Sequence, residues 1–263
     1  MAPIYMHNDT VEKWVRDFVS DYPDQRGDSL VTRWRTPLVR VASSADPLFE
    51  TFKTAVHEKH LLPRELLPEA RSVIVFFLPF TGNLHRENFK EAHYCSRSWA
   101  AAYVETNRLI SDTSGFLKEK LETMGRLAAL IPPTHNFDRS TLMSDWSHRH
   151  AAYAAGLGRF GVHNLLITSM GCTGRLGSLV TDLDLEPSAR PERESCLHKA
   201  GKECLKCVER CEFGALRPDG FDRFVCHAQC RTNDRRHTDL GRTEICGKCS
   251  ALVPCSVINP RSL

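Results

Sequence analysis

Cysteine is the residue that most constrains this chain. Nine of its eleven cysteines lie between Cys196 and Cys255, in the last third of 263 residues. The beginning of the chain has no basic segment followed by an apolar stretch, so we expect no secretory signal and a cytoplasmic location. Cytoplasmic thiols stay reduced, so a disulfide framework is not expected. The tight spacing of the cysteines instead indicates metal or cluster ligation.

The spacing of the first cysteines is typical of iron–sulfur proteins. In bacterial two-cluster ferredoxins, the run C-x2-C-x2-C-x3-C-P serves two [4Fe–4S] clusters, and its fourth cysteine ligates the second cluster. Cys204, Cys207 and Cys211 match the last three cysteines of that run, while Gly201 and Glu212 replace its first cysteine and its proline. Two such clusters need eight thiolates, and this segment offers nine.

We therefore predict two ligand sets that interleave along the chain. The first set is Cys196, Cys204, Cys207 and Cys255. The second set is Cys211, Cys246, Cys249 and either Cys230 or Cys226. Structural zinc is the alternative, because paired C-x2-C motifs also form tetrahedral zinc sites. The ferredoxin-like spacing favours clusters.

The sequence before the cysteines predicts an α+β fold. Pro23 and Gly27 are expected to end a first helix that is capped by Asp9 or Thr10. The predicted elements are a strand at 71–80 buried on both faces, one helix at 98–124 or two shorter ones separated at Gly115, a helix at 147–155, and strands at 164–169 and 175–181. The composition changes near residue 185, which predicts a pocket domain at 1–185 and a cysteine-rich domain at 186–263.

Charge and hydropathy exclude some classes of function. The formal net charge of +3 is too small to indicate nucleic-acid or membrane binding. The longest apolar run, Val73–Phe80, is too short to cross a bilayer. The stretch at 231–242 is rich in arginine and is predicted to be a solvated, turn-rich loop.

A glycine-rich segment precedes the cysteines. Gly156, Gly158 and Gly161 form the pattern G-x-G-x-x-G. A dinucleotide-binding site needs a strand before this pattern and a helix after it, and the predicted order here is the reverse. We therefore expect a glycine-rich helix end that allows close approach of the backbone, and no Rossmann site.

The same segment resembles the core motif of epoxyqueuosine reductases. The residues that carry the resemblance are AAGLGRFGVHNLLIT at 154–168, GRLGSLVT at 174–181 and PRELLPEARSVIV at 63–75, followed by the cysteine run. The resemblance implies a nitroreductase-like, cobalamin-binding N-terminal domain, as in reductive dehalogenases. It also implies a C-terminal bacterial two-[4Fe–4S] ferredoxin-like domain that delivers electrons to the corrinoid.

The resemblance also implies roles for individual residues. Its cofactor-binding positions correspond to Gly156, Gly158, Gly161, His163, Asn164 and Ser178. The related enzymes use an aspartate of an Asp-x-x-Pro segment as proton donor, and Asp138 or Asp145 could fill that role here, although no proline follows. His148 is a further possible proton donor, the alternative being a hydrogen-bonded histidine at a helix start.

Function and partners follow as expectations. The favoured function is a cobalamin-dependent reductase supplied by a low-potential donor such as ferredoxin or flavodoxin. Its substrate is a small molecule or a modified nucleoside, and a nucleic-acid partner is not expected, because the chain lacks the repeat domain that many related enzymes carry for tRNA. One rival is a ferredoxin-type electron carrier without catalysis. The other is a zinc-stabilised binding module.

Overall fold

The computed structural model of this protein describes residues 6–27 and 30–262. The helices are α1 (Asn8–Arg26), α2 (Leu48–Ala55), α3 (Pro63–Leu66), α4 (Gly82–Lys90), α5 (Arg97–Thr123), α6 (His148–Ala154), α7 (Lys206–Glu209) and α8 (Arg223–Arg236). The strands are β1 (Leu38–Ser43), β2 (Ser72–Pro79), β3 (Ala128–Leu130), β4 (Phe137–Asp138), β5 (Met143–Ser144), β6 (Gly158–Phe160), β7 (Leu166–Thr168), β8 (Gly174–Thr181), β9 (Leu216–Arg217) and β10 (Gly220–Phe221). The chain therefore has the mixed α and β structure that its sequence predicts.

One antiparallel sheet organises the molecule, with the strand order β1-β2-β8-β3. All eight residues of β2 are buried, which confirms the strand predicted at 71–80. Ile74 and Phe76 pack into one apolar cluster, and Val73 and Val75 pack into another. The two clusters lie on opposite faces because successive side chains of a strand alternate.

Helices α1 and α5 cover one face of the sheet. Val11, Val15 and Val19 of α1 are buried there at the predicted helical spacing. The prediction that Pro23 ends α1 is wrong, because the helix continues to Arg26. Packing outweighs the proline: the adjacent Tyr22 is buried, and its hydroxyl donates to Asp112 of α5 at 2.7 Å. Helix α5 itself runs unbroken for 27 residues.

Helix α6 lies on the opposite face, next to β2 and β8. Ser147 caps its N-terminus by accepting a hydrogen bond from the backbone N–H of His150. The helix ends two residues before Gly156, which adopts a positive φ of 78°. This glycine end directs the chain into the hairpin of β6 and β7.

The cysteine segment (residues 195–262) has little regular structure apart from α7, the β9–β10 hairpin and α8. The prediction of a loop over 231–242 is wrong for residues 231–236, which belong to α8. Asp222 caps that helix by accepting hydrogen bonds from the backbone N–H groups of Phe224 and Val225 at 2.9 and 3.1 Å. The cap fixes the helix that carries Cys226 and Cys230.

Hydrogen bonds tie the cysteine segment to the rest of the molecule. Asn88 of α4 donates to the carbonyl of Cys246 at 3.0 Å. The guanidinium of Arg35 donates to the carbonyl of Val257 at 2.8 Å. Among the described helices, none combines the length and the apolar character that a membrane crossing requires.

Candidate functional site

Four of the predicted ligand cysteines line one small cavity: Cys196, Cys204, Cys207 and Cys255. We call this cavity the proximal site. Its described wall contains no carboxylate, and the imidazole of His163 is the one ionisable group there besides the thiols. The site therefore offers sulfur donors almost exclusively, which suits iron–sulfur clusters and zinc and does not suit hard cations.

His163 closes one side of the proximal site. Its Nδ1 accepts the backbone N–H of Leu165 at 3.1 Å, which makes Nε2 the protonated nitrogen. Nε2 lies 3.3 Å from Sγ of Cys255 and donates to it. Gly161 leaves room for the ring, since a Cβ at that position would lie 2.6 Å from the Cε1 atom of His163. The third glycine of the motif is thus needed for the orientation of this histidine.

Cys172 connects the proximal site to a second, larger cavity. Its backbone N–H donates to the carbonyl of Cys255 at 2.9 Å, and its thiol is hydrogen-bonded to the thiol of Cys255. The donor atoms of His163, Cys172 and Cys255 all lie within 4.8 Å of one another. Hydrogen bonds from Cys172 and then His163 lower the pKa of Cys255, which favours the thiolate that metals bind.

The remaining five cysteines of the segment form what we call the distal site: Cys211, Cys226, Cys230, Cys246 and Cys249. Burial, followed by the charges of neighbouring thiolates that include Cys246, raises the pKa of Cys249. Cys226 and Cys230 lie one turn apart on α8, and their thiols are hydrogen-bonded to each other. Cys207 of the proximal site also raises the pKa of Cys249, so the two sites are neighbours.

An indole ring packs against the distal site. Gly247 lies in the turn between Cys246 and Cys249 and has a positive φ of 72°. A Cβ at Gly247 would lie 2.3 Å from the ring of Trp99, so the indole rests directly on this turn. A buried lysine supports the same turn: Nζ of Lys248 donates to the carbonyl of Asn88 at 2.8 Å.

The larger cavity has a volume of about 670 Å³ and lies between the sheet, α6 and the β4–β5 hairpin. We call it the large cavity. Its aromatic lining residues are Phe77, Phe137, Trp146, Phe160 and Phe221. Its charged lining residues are Arg149, Arg175 and Arg223, and none of the described lining residues is an aspartate or a glutamate. Cys172 also lines this cavity, so the proximal site and the large cavity share a wall.

His148 stands in a closed hydrogen-bond chain on the cavity wall. The indole N–H of Trp146 donates to Ser178 Oγ at 3.0 Å, and Ser178 donates to Nδ1 of His148 at 2.7 Å. Nε2 of His148 donates to the carbonyl of Pro132 at 2.9 Å. Burial lowers the pKa of His148 to about 4, so the ring is neutral near pH 7. Both ring nitrogens are occupied, and proton donation from His148 would require breaking one of these bonds.

The two candidate aspartates flank the β4–β5 hairpin. Neither Asp138 nor Asp145 lines the large cavity, although Leu142, Met143 and Ser144 between them do. Hydrogen bonds from Ser140, and then from the backbone of Thr141 and Ser140, lower the pKa of Asp138 to about 2. As positioned here, Asp138 is an exposed, ionised carboxylate.

The expected cofactor-binding residues do not share one surface. Asn164 lines the large cavity, and its carbonyl accepts from Arg149 at 2.6 Å. His163 lines the proximal site instead. Ser178 is hydrogen-bonded to His148, and it is His148 that lines the large cavity. Neighbouring backbone fills the space beside Gly156 and Gly158: Cβ atoms there would lie 2.5 Å from the carbonyl oxygen of Ala189 and 2.2 Å from that of Ile167.

Sequence reasoning missed the arginines and Cys172. Arg149 lies next to His148, the residue of its segment whose role was predicted from the sequence, and Arg175 lies in a segment that is predicted as a strand and carries the family resemblance. A charged residue at the edge of a buried strand was the available signal for Arg175. Arg223 had no signal, because α8 was not predicted.

Comparison with known proteins finds relatives both in sequence and in fold. The epoxyqueuosine reductase of Bacillus subtilis (strain 168) is 27% identical over 169 residues, which are 60% of this chain and 39% of that protein. An epoxyqueuosine reductase solved with an epoxyqueuosine-modified tRNA stem loop superposes with a TM-score of 0.56 at 17% identity, over 93% of this chain and 66% of that one. The catabolic reductive dehalogenase NpRdhA gives a TM-score of 0.56 at 17% identity, over 84% of this chain and 30% of that one.

The resemblance predicted from the sequence is thereby confirmed. This chain is similar in sequence to epoxyqueuosine reductases, and its fold matches theirs and that of a reductive dehalogenase. The chain spans about two fifths of the length of the curated relatives that it matches. No protein-family model matches the chain.

Proposed function

We propose that this chain, similar in sequence to epoxyqueuosine reductases and in fold to reductive dehalogenases, is a corrinoid-dependent reductase with two [4Fe–4S] clusters. The shared wall between the proximal site and the large cavity carries the proposal. Cys172 lines the large cavity and is hydrogen-bonded to Cys255, which lines the proximal site. An electron carrier needs no cavity of this size beside its cysteines, whereas a reductase does.

In this proposal the cysteine sites hold the two clusters. Cys196, Cys204, Cys207 and Cys255 ligate one cluster at the proximal site. Cys211, Cys246, Cys249 and either Cys230 or Cys226 ligate the other at the distal site. The donor side chains of the proximal wall, four thiols and one imidazole, support this assignment. Residues 186–263 would then be a ferredoxin-like domain, and residues 1–185 a nitroreductase-like domain.

The large cavity is the proposed binding place of the corrinoid and the substrate. Its volume and aromatic lining suit a large planar ring. The bound cofactors supply one-electron reduction, which amino-acid side chains cannot. The protein holds its three binding sites next to one another. Cys249 of the distal site lies near Cys207 of the proximal site, and Cys172 separates the proximal site from the large cavity. A ferredoxin or flavodoxin is the proposed electron donor.

A proton must accompany the electrons, and the cavity wall limits where it can come from. His148 and His150 are neutral there, since burial lowers the pKa of each to about 4. Asp138 and Asp145 stay candidates, because the residues between them line the large cavity. If one of these aspartates donates the proton, its replacement by asparagine should abolish turnover and leave corrinoid binding intact. Full activity of both variants would remove this role.

The substrate class is proposed from the relatives. The similar tRNA-bound structure indicates a modified nucleoside, and a small molecule is the other class that such a cavity can take. The cytoplasm is the proposed location.

Metal analysis of anaerobically purified protein tests the proposal. We expect about eight iron atoms and eight sulfides per chain, as two cubane clusters require. Added cobalamin should remain bound through gel filtration. Clusters without corrinoid retention would favour the electron carrier, and zinc without iron would favour the binding module. Cys204→Ala should reduce the iron to about four atoms per chain, while the matched control Cys95→Ala, a buried cysteine outside both sites, should keep all eight.

A further inference from the structure

The guanidinium of Arg175 faces the large cavity without a protein acceptor. Arg175 is the second residue of β8, and its backbone pairs with Leu78 of β2. Within residues 6–27 and 30–262 its guanidinium forms no hydrogen bond and no ion pair, and its Nε is inaccessible to solvent. Its one defined contact is the ring of Tyr103, whose centroid lies 4.4 Å from the guanidinium carbon. A buried donor without a partner is costly, so this group needs an acceptor from outside the protein.

Tyr103 holds the guanidinium in place. The ring belongs to α5 and is buried. Its hydroxyl lies 3.1 Å from Oγ1 of Thr134, which fixes the ring at its far end. Arg175 therefore extends from a central strand and stacks on an anchored aromatic face. Such a guanidinium loses little rotational freedom when it binds a carboxylate or a phosphate.

The rest of the cavity wall supplies no compensating negative charge. Arg149 donates to the carbonyl of Asn164 and lies near the thiols of Cys226 and Cys249, so it already has partners on the distal side. Arg223 is exposed at the cavity rim, where its guanidinium contacts the sulfur of Met143.

Behind the wall, the carboxylate of Glu244 lies 3.4 Å from Nδ1 of the lining residue His135. It accepts from Arg242 at 2.9 Å and so already has a cationic partner. Burial, and to a smaller extent the charge of Arg175, lowers the pKa of His148. This histidine is therefore neutral near pH 7, and the positive charge of the wall comes from its arginines. A cationic ligand would meet three guanidiniums and no carboxylate, whereas an anion would find several donors.

We infer that the large cavity takes an anionic ligand whose carboxylate or phosphate group binds the guanidinium of Arg175. This inference rests on the proposed function, because it names the ligand class of the same cavity. Two molecules could bring the anion: an acidic substrate, or the corrinoid through the phosphodiester of its nucleotide tail. The five aromatic side chains of the lining would pack against the apolar part of either molecule.

A matched pair of small probes tests the inference. Benzoate and benzamide have nearly the same shape and differ in charge, and ligand-observed NMR titration of the cluster-loaded protein gives both affinities. We expect benzoate to bind at least about tenfold more tightly, which corresponds to about 1.4 kcal/mol. Arg175→Met keeps most of the side-chain volume and should abolish the preference. Arg71→Met, which removes an exposed arginine paired with Asp184 far from the cavity lining, should keep it.

A second comparison identifies the source of the anion. Cobinamide lacks the phosphate and nucleotide tail of cobalamin. If Arg175→Met weakens retention of cobalamin and leaves that of cobinamide unchanged, the anion is the cofactor's phosphate. If it removes the benzoate preference and leaves both corrinoids unaffected, the anion belongs to the substrate. Both results support an anion site at Arg175.

Other results overturn the inference. Equal affinities for benzoate and benzamide, together with equal effects of Arg175→Met on both corrinoids, would exclude an anion site. A benzoate preference that survives in Arg175→Met would place the anion elsewhere. Iron content of the variant checks folding, and Arg175→Lys, which retains the charge, should retain part of the preference. Corrinoid binding with neither a benzoate preference nor a cobalamin-selective effect of Arg175→Met refutes this inference alone, whereas a benzoate preference that depends on Arg175, without corrinoid binding, refutes the proposed function alone.

Discussion

The four-stranded sheet and the cysteine segment are stabilised in different ways. In the sheet, β2 is buried along its whole length and apolar clusters cover both of its faces. In residues 195–262 the buried apolar side chains are only Cys196, Ala215, Leu216, Ala251 and Val253. Apolar burial can hold the sheet, but five mostly small side chains cannot hold 68 residues. The cysteine segment therefore depends on its ties to the sheet region and on whatever its cysteines bind.

Removal of the proposed clusters should have the largest effect on this contrast. We expect chelation of the iron to lower amide hydrogen-exchange protection throughout residues 195–262, because ligation supplies folding energy there. Protection of β2 and β8 should change little. The measurement is hydrogen exchange with mass spectrometry on iron-loaded and iron-free protein. Equal loss of protection in both regions would show that they form one cooperative unit.

Loss of one distal ligand should have the next largest effect, a loss of half of the iron. Cys226 and Cys230 are hydrogen-bonded to each other, and the predicted ligand set has room for only one of them. We expect Cys230→Ala to lower the iron to about four atoms per chain and Cys226→Ala to keep about eight, because Cys230 is the more deeply buried thiol. The opposite pattern would assign the ligand to Cys226. Loss of all iron in either variant would mean that the two sites assemble together.

A change in the sheet should affect stability and leave the iron in place. The ring of Phe76 is fully buried and occupies the space beside Gly177, where a Cβ would lie 2.3 Å from its Cζ atom. We expect Phe76→Ala to lower the free energy of unfolding by about 3–5 kcal/mol. Iron content should stay at the wild-type value under folding conditions. Phe224→Ala, at a side chain 56% exposed, is the control and should cost far less.

Acid should weaken the sheet region through His148. Its pKa is about 4 in the folded protein and ordinarily about 6.5, so the unfolded chain binds the proton first as the pH falls. Stability should therefore drop between pH 6.5 and pH 4, by at most about 3 kcal/mol from this residue. Urea unfolding of iron-free protein at several pH values measures this without interference from cluster loss. His148→Gln should reduce the dependence without abolishing it, because burial lowers the pKa of His150 to about 4 as well. Exposed His93→Gln should leave it unchanged.

Sequence alone predicted the elements with strong local patterns. The apolar run of β2 and the spacing of the apolar residues of α1 are local patterns that can be recognised in the sequence. A strand buried on both faces is a continuous apolar run, and a helix buried on one face repeats apolar residues every three or four positions. Helix α8 was missed because its sequence has no apolar stripe at helical spacing and its main signal is the single cap at Asp222. The course of α1 beyond Pro23 depends on Tyr22 and Asp112, which are distant in sequence.

The candidate site shows the same division. Cysteine spacing grouped four residues that the structure places around one cavity. The arginines of the large cavity come from α6, β8 and α8, so only the tertiary structure brings them together. The glycine motif was expected to approach a cofactor, but the space beside Gly161 contains the ring of His163 and that beside Gly158 contains the backbone of β7. The spacing of residues along the chain indicates which nearby side chains can bind one ligand. It does not indicate which distant segment fills the space beside a glycine.

The contact between Trp99 and the turn at Gly247 has an optical consequence. An indole this close to a broadly absorbing centre transfers its excitation energy to it and stops emitting. Trp99 lies against the distal site, whereas Trp146 lines the large cavity, and these are two of the four tryptophans in the chain. Variants that keep only one of these two indoles would therefore report on the two places separately. We expect emission from Trp99 to brighten when the proposed cluster leaves the distal site, and emission from Trp146 to change when a ligand enters the large cavity.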